Sequence, residues 1–107
     1  MPKGRNIEEY LSEKLHDPEE ALEYLRAAFK EGDREVILLA IRDVINAREG
    51  MEKFARKSKV NRQNLYKMLS ENGNPRLESF FSVISALGLK LSPEWNAPQK
   101  KRICSPS

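Results

Sequence analysis

The sequence predicts an all-helical protein, and three features of the chain support this fold class. Apolar residues recur at spacings of three and four along most of the sequence, as on one face of a helix. Asp, Asn and Pro residues typical of helix starts precede these stripes, and Gly residues follow them. The 107 residues, of which 39% are hydrophobic and 33% charged, suit a single compact domain with a modest core.

Two helices are predicted in the first third of the chain. Asn6 can cap the first helix, which should run to about Leu15. Asp17 and Pro18 mark the start of the second, with Asp as the cap and Pro at the first helical position. Gly32 should end that helix, because glycine readily adopts the left-handed conformation found there.

The third predicted helix should form the centre of the core. Asp33 can cap it, and it should reach about Ala47. Residues 36–41 are apolar nearly all round, which predicts burial on several sides. A β-strand is possible for six such residues, but Val44 and Ile45 continue the pattern at helical spacing and favour a helix.

Three short helices should follow, over residues 51–57, 62–70 and 77–87. The sequence Asn-Gly-Asn-Pro at 72–75 is a strong turn signal between the last two. From residue 93 onward the composition shifts to Pro, Ser and Lys or Arg, which predicts a disordered C-terminal tail.

The charges are distributed unevenly along the chain. Residues 1–35 carry six Lys or Arg against ten Asp or Glu, a net charge of −4. Residues 36–75 carry eight against four, or +4, and residues 76–107 carry five against two, or +3. An acidic front and a basic rear indicate two surfaces with different partners, although ordinary surface charge for solubility explains the pattern equally well.

The chain offers little material for catalysis, metal binding or membrane insertion. One histidine, His16, and one cysteine, Cys104, cannot supply the three or four ligands of a zinc site, and no glycine-rich phosphate loop is present. No apolar run approaches the roughly 20 residues that cross a bilayer, and the basic N-terminus lacks the apolar centre of a signal peptide. A single cysteine fits a reducing cytosol. We therefore expect a cytoplasmic protein that is not an enzyme and has no cofactor.

The fourth and fifth predicted helices carry the most informative pattern. Ala55, Val60 and Leu65 are spaced by five residues. A helix-turn-helix needs a small residue where its helices touch, an apolar plug in the turn and an apolar residue inside the second helix. Asn61 is suited to cap that second helix. The spacing therefore predicts a helix-turn-helix.

Helical geometry places polar side chains on the outer face of the fifth helix. Gln63 and Lys67 should point directly away from the apolar side, with Tyr66 nearby and Arg62 and Asn64 at the edges. Gln pairs well with adenine, and Arg or Lys with guanine, in the major groove. Any amphipathic helix has a solvated face, but the surrounding cations favour DNA reading. These cations are Lys53, Arg56, Lys57 and Lys59.

Three segments carry a resemblance to a known family: IRDVINAREGM at 41–51, LYKMLS at 65–70 and GNPRL at 73–77. They resemble the addiction-module antidote family, antitoxins of the HigA type within the Cro/C1-type helix-turn-helix group. The similarity covers about residues 17–92. It implies a five-helix Cro/C1-type domain with an extra N-terminal helix, a homodimer and repression of its own operon. It also implies a partner, a small RelE-fold toxin that cleaves mRNA on ribosomes.

The resemblance also implies residue roles. Arg62, Gln63 and Lys67 match base-reading positions, and Tyr66 lies beside them. The expected contacts to the DNA backbone are Met51, Lys53, Lys57, Lys59, Asn61, Asn64, Asn74 and Arg76. Lys59 departs from the group, which usually has Gly in this turn, and a left-handed backbone there would strain a lysine.

We accordingly divide the chain into an N-terminal helical, partner-facing segment (1–35), a helix-turn-helix DNA-binding domain (36–92) and a flexible tail (93–107). The leading hypothesis is a type II antitoxin that binds double-stranded operator DNA, represses its own operon and neutralises the toxin. The alternative is a stand-alone Cro/C1-type repressor without a toxin, because its DNA-reading part would look the same. A third hypothesis is a helical adaptor that binds only protein. The acidic helices over 7–32 either face the toxin or complete the core or the dimer.

Overall fold

The computed structural model describes residues 7–96, which form six α-helices and no β-strand. The helices are α1 (Ile7–Leu15), α2 (Pro18–Glu31), α3 (Arg34–Arg48), α4 (Met51–Ser58), α5 (Arg62–Met68) and α6 (Leu77–Ala86). The predicted all-helical class is confirmed, and the strand alternative for residues 36–41 is wrong. The predicted cap Asn6, the lone Cys104 and the part of the predicted tail from 97 to 107 lie outside the described residues.

Side-chain caps fix the starts of α2 and α3, as predicted. The Asp17 carboxylate accepts a hydrogen bond from the Glu19 backbone N–H at 2.9 Å, and the Asp33 carboxylate accepts one from Glu35 at 2.9 Å. Each carboxylate satisfies an N–H that has no partner inside its helix. Gly32 ends α2 with a φ of 82°, a conformation that costs glycine little.

All six helices contribute to one hydrophobic core centred on α3. α1 and α2 pack against α3, whereas α4 contacts α3, α5 and α6. The largest fully buried side chains are Phe54, Leu15, Leu38, Ile41, Ile45, Leu65, Leu69, Val44 and Val83. The same cluster contains buried residues of the first two helices, namely Leu15 of α1 and Ala21, Leu25 and Ala28 of α2. The acidic N-terminal helices therefore share one core with the basic helices that follow.

Polar contacts also attach the first helices to α3. The Tyr24 hydroxyl on α2 donates a hydrogen bond to the Asp43 carboxylate at 2.7 Å. Burial, followed by the contact with this carboxylate, raises the pKa of Tyr24 to about 12. The Arg48 guanidinium donates to the His16 backbone oxygen at 2.9 Å and fixes the turn between α1 and α2.

Several helix ends differ from the prediction by one or two residues. α5 ends at Met68 rather than at Ser70, because the chain turns there. The Ser70 hydroxyl donates to the Lys67 carbonyl at 2.7 Å, and the Gly73 N–H donates to the Ser70 carbonyl at 2.9 Å. α4 reaches Ser58, one residue further than predicted, and α6 stops one residue early. Within residues 7–96, no helix has the length and apolar character needed to cross a membrane.

Candidate nucleic-acid interface

The turn between α4 and α5 is held by the residues that the five-residue spacing singled out. Ala55 and Leu65 are buried at the contact between the two helices, and Val60 is half-buried against the core. Ser58 adds a contact that the five-residue spacing does not predict. Its hydroxyl, which is buried, donates to the Ala55 carbonyl and accepts from the Val60 N–H, both at 3.3 Å. The signal for it was a serine two residues before the apolar plug, a spacing typical of hydroxyl-closed turns.

Lys59 adopts a left-handed conformation in this turn, with φ 63° and ψ 22°. The left-handed backbone considered for this position in the sequence is therefore present, and the strain on the lysine stays a prediction. An L-residue in this region brings its Cβ close to the following carbonyl oxygen. The geometry places the Lys59 side chain on the exposed side of the turn.

Asn61 caps α5, as predicted. Its side-chain oxygen accepts hydrogen bonds from the backbone N–H groups of Gln63 at 2.7 Å and Asn64 at 3.3 Å. The Asn61 side-chain oxygen is therefore engaged within the protein, and only its NH2 group remains for a contact to DNA. The cap fixes the direction in which α5 leaves the turn.

The predicted base-reading residues share one exposed face of α5. Leu65 and Met68 face the core. The exposed side chains are Arg62, Gln63, Asn64, Tyr66 and Lys67. This arrangement brings a guanidinium, two amides, a phenol and an ammonium together on a helix of seven residues. All of these groups can donate hydrogen bonds to base edges or phosphates.

Arg62 has partners that the sequence does not predict. Its Nη1 lies 3.3 Å from Oε2 of Glu52 on α4. Its guanidinium carbon also lies 5.9 Å from the centre of the Tyr66 ring, and the guanidinium carbon of Arg42 on α3 lies at the same distance from that ring. These distances suit cation–π attraction. No sequence signal indicated the Glu52 contact, because the two residues belong to different helices.

The lysines predicted to contact the DNA backbone differ in whether they pair with an acidic side chain. Lys57 forms an ion pair with Glu49, with Nζ 2.7 Å from Oε2. Lys53 and Lys59 are exposed, and neither pairs with an acidic group among the described residues. Residues 51–68 carry six Lys or Arg and one acidic residue, Glu52, so the α4–α5 surface is strongly basic.

Two of the remaining predicted backbone contacts, Met51 and Arg76, lie at helix starts, and Asn74 lies in the turn before α6. Met51 is the first residue of α4, which Gly50 precedes without a side-chain cap, so its first backbone N–H groups have no capping side chain. Arg76 is exposed and immediately precedes α6. Asn74 accepts a 3.4 Å hydrogen bond from Arg34 at the start of α3, a contact that the sequence did not indicate.

The fold and this surface define the class of protein: a small helical protein whose residues 7–96 form six helices and present a basic face on the α4–α5 pair. Residues 6–94 match the family described as "probable addiction module antidote protein", and the chain belongs to this family. The predicted resemblance to addiction-module antidotes is confirmed at this level. Membership implies an antitoxin role and a toxin partner of some kind.

One curated relative is an uncharacterized protein of Haemophilus influenzae. It is 38% identical over 80 residues, which cover 75% of this chain and 81% of the relative. No solved structure gives a significant match.

Proposed function

We propose that this protein is the antitoxin of a type II toxin–antitoxin module and that it also represses its own operon by sequence-specific DNA binding. In this proposal it is a cytoplasmic binding protein, without catalytic activity or cofactor. The observation that carries the DNA-binding half is the exposed face of α5, on which Arg62, Gln63 and Lys67 lie together. Family membership supports the antitoxin half.

In the proposed complex, α4 and α5 act as a Cro/C1-type helix-turn-helix and α5 enters the major groove of double-stranded operator DNA. Gln63 would pair with an adenine, and Arg62 or Lys67 with a guanine. Tyr66 would contact the adjacent base edge. Phosphates would be bound by Lys53 and Lys59 and by the uncapped N–H groups at the start of α4, where the helix dipole favours negative charge.

We further propose that the protein binds DNA as a homodimer. Leu77 and Phe81 lie one helical turn apart on α6 and are 69% and 49% exposed. A two-fold interface needs a patch that is complementary to itself, and this apolar pair offers one. The operator would then be an inverted repeat whose half-sites are separated by one helical turn of DNA, about 34–36 Å, or a multiple of it.

The outer face of α2 is the proposed surface for the toxin, which the family resemblance suggests is a RelE-fold mRNase. The inner face of α2 belongs to the core, whereas Glu19, Glu20, Glu23 and Leu22 are exposed on the outer face. An RNA-cleaving toxin needs a basic surface for its substrate, and an acidic helix is complementary to such a surface. An exposed leucine among the carboxylates supplies apolar contact area.

The DNA-binding half is tested by comparing three variants on operator and on unrelated DNA. Gln63→Ala and Arg62→Ala should each weaken operator binding by about 1–3 kcal/mol and relax sequence preference. Lys53→Ala should weaken binding to all DNA alike and reduce the salt dependence. Lys30→Ala on α2 is the matched control and should change neither. Unchanged operator binding by Gln63→Ala would show that α5 is not the reading helix.

The antitoxin half is tested by co-purification with the product of an adjacent short reading frame, in the absence of DNA. A stable complex that also suppresses the partner's toxicity supports the proposal. Deleting the first helices would remove core residues such as Leu15 and Leu25, so the interface is better probed by Glu20→Lys with Glu23→Lys. Glu71→Lys, an exposed residue in the turn after α5, is the control. Specific DNA binding without any complex would instead support the stand-alone repressor.

A further inference from the structure

We infer that Glu52 is a positioning residue for Arg62 and thereby determines how strongly the protein discriminates its operator from other DNA. The inference rests on the proposed function, because it concerns the same α5 face. In this inference Glu52 does not itself contact a base. Its effect would come from the conformation that it imposes on the arginine.

The geometry holds Arg62 from two sides. The Glu52 carboxylate lies 3.3 Å from Arg62 Nη1, and the Tyr66 ring lies 5.9 Å from the guanidinium carbon. Tyr66 is in turn close to Arg42, which is half-buried on α3. Glu52 and Arg62 also line the same shallow depression between α4 and the turn. A free arginine on a helix surface samples many rotamers, so these two contacts reduce the number that Arg62 can adopt.

The charge pattern makes Glu52 the exception on this surface. Six cations and this one carboxylate occur over residues 51–68. A carboxylate at a phosphate-binding surface weakens binding to every DNA sequence, because it opposes the general electrostatic attraction. The same carboxylate holds Arg62 away from phosphates and in one orientation, which favours a bidentate contact to guanine over loose backbone contacts. The first effect acts on all sequences alike, so it is the restricted orientation of Arg62 that raises the ratio of specific to non-specific affinity.

Glu52 also lies in the first turn of α4, where a negative charge stabilises the helix. That contribution alone would make Glu52→Gln slightly less stable but would leave DNA discrimination unchanged. The two roles are therefore separable by experiment. A direct base contact by Glu52 is also separable, because it would not depend on Arg62.

The test measures binding of the full chain to operator and to unrelated duplex DNA for Glu52→Gln, Arg62→Ala and the double variant, with Glu31→Gln at the end of α2 as the control. We expect Glu52→Gln to bind unrelated DNA roughly three- to tenfold more tightly and to lose discrimination by a similar factor. In the Arg62→Ala background, Glu52→Gln should leave discrimination unchanged. Unaltered discrimination in Glu52→Gln, or an equal loss in the Arg62→Ala background, would overturn the inference.

A second readout requires no DNA. The Arg62 Nε–Hε group is followed by NMR relaxation in the wild-type protein and in Glu52→Gln, where its order parameter should fall. An unchanged order parameter would show that Glu52 does not position Arg62, whatever the DNA result. If the protein bound no operator at all, the proposed function would fail, and this measurement would still decide whether the carboxylate restrains the arginine.

Discussion

Replacement of Lys59 by glycine should stabilise the protein. Among the described residues, Lys59 is the one non-glycine residue with a positive φ, at 63°. A side chain in this conformation costs roughly 1–2 kcal/mol, and glycine removes that cost. Glycine also gains freedom in the unfolded chain, which offsets roughly 0.4–1 kcal/mol. We therefore expect a net gain of about 0.5–1 kcal/mol, or a rise in Tm of roughly 2–8 °C for a domain of this size.

The assay is denaturant and thermal unfolding of Lys59→Gly beside Lys53→Gly, which makes the same substitution inside α4. Lys53 has ordinary helical geometry, so glycine there should cost about 0.5–1 kcal/mol. The two variants should thus shift stability in opposite directions. Lys59→Ala should match the wild type closely, because alanine retains the Cβ. A Lys59→Gly variant that is no more stable than Lys59→Ala would refute the predicted strain, since the left-handed backbone would then cost the lysine nothing.

Substitutions at three further sites test other contacts. Gly73→Ala should destabilise the protein by more than about 2 kcal/mol, since a Cβ there would overlap the Met68 carbonyl; a small change in urea midpoint would contradict this close approach. Asn61→Ala should cost about 0.5–2 kcal/mol through the lost α5 cap, whereas Asn61→Asp should retain most of the stability; equal losses would argue against the cap. Tyr24→Phe should cost about 1–2 kcal/mol at neutral pH. Because the folded pKa of Tyr24 is raised to about 12, its contribution is complete below pH 10 and is lost as the pH rises through 12. The stability difference between wild type and Tyr24→Phe should therefore shrink over that range, and a constant difference would contradict the bond to Asp43.

The helix starts could be predicted from the sequence because their determinants are local. Asp17, Asp33 and Asn61 each accept a hydrogen bond from an N–H two residues ahead, so cap and partner are adjacent in the chain. The end of α5 was not predictable in this way. Leu69 caps α5, and the chain then turns through Ser70 to Gly73, whose backbone lies against the Met68 carbonyl. Helix propensity alone carries no information on that approach.

The exposed face of α5 was also predictable, but the partners of its side chains were not. Helical periodicity determines which residues oppose the buried Leu65, independently of the rest of the fold. The contact between Glu52 and Arg62 depends instead on the angle at which α4 and α5 meet. The ion pair between Lys57 and Glu49 likewise joins α4 to the residue that follows α3. Long flexible side chains can reach several partners, so spacing in the sequence does not select one.

Lys59 is the position at which local backbone preference and the proposed function oppose each other. The turn needs a left-handed residue, for which glycine is the unstrained choice. A lysine there adds an exposed positive charge beside the start of α5, where a DNA phosphate would lie in the proposed complex. If that complex is correct, Lys59→Gly should be more stable yet bind all DNA more weakly, with a salt dependence reduced by about one phosphate contact. Strain retained at this turn is then explained by the contact it allows, rather than by any gain in folding.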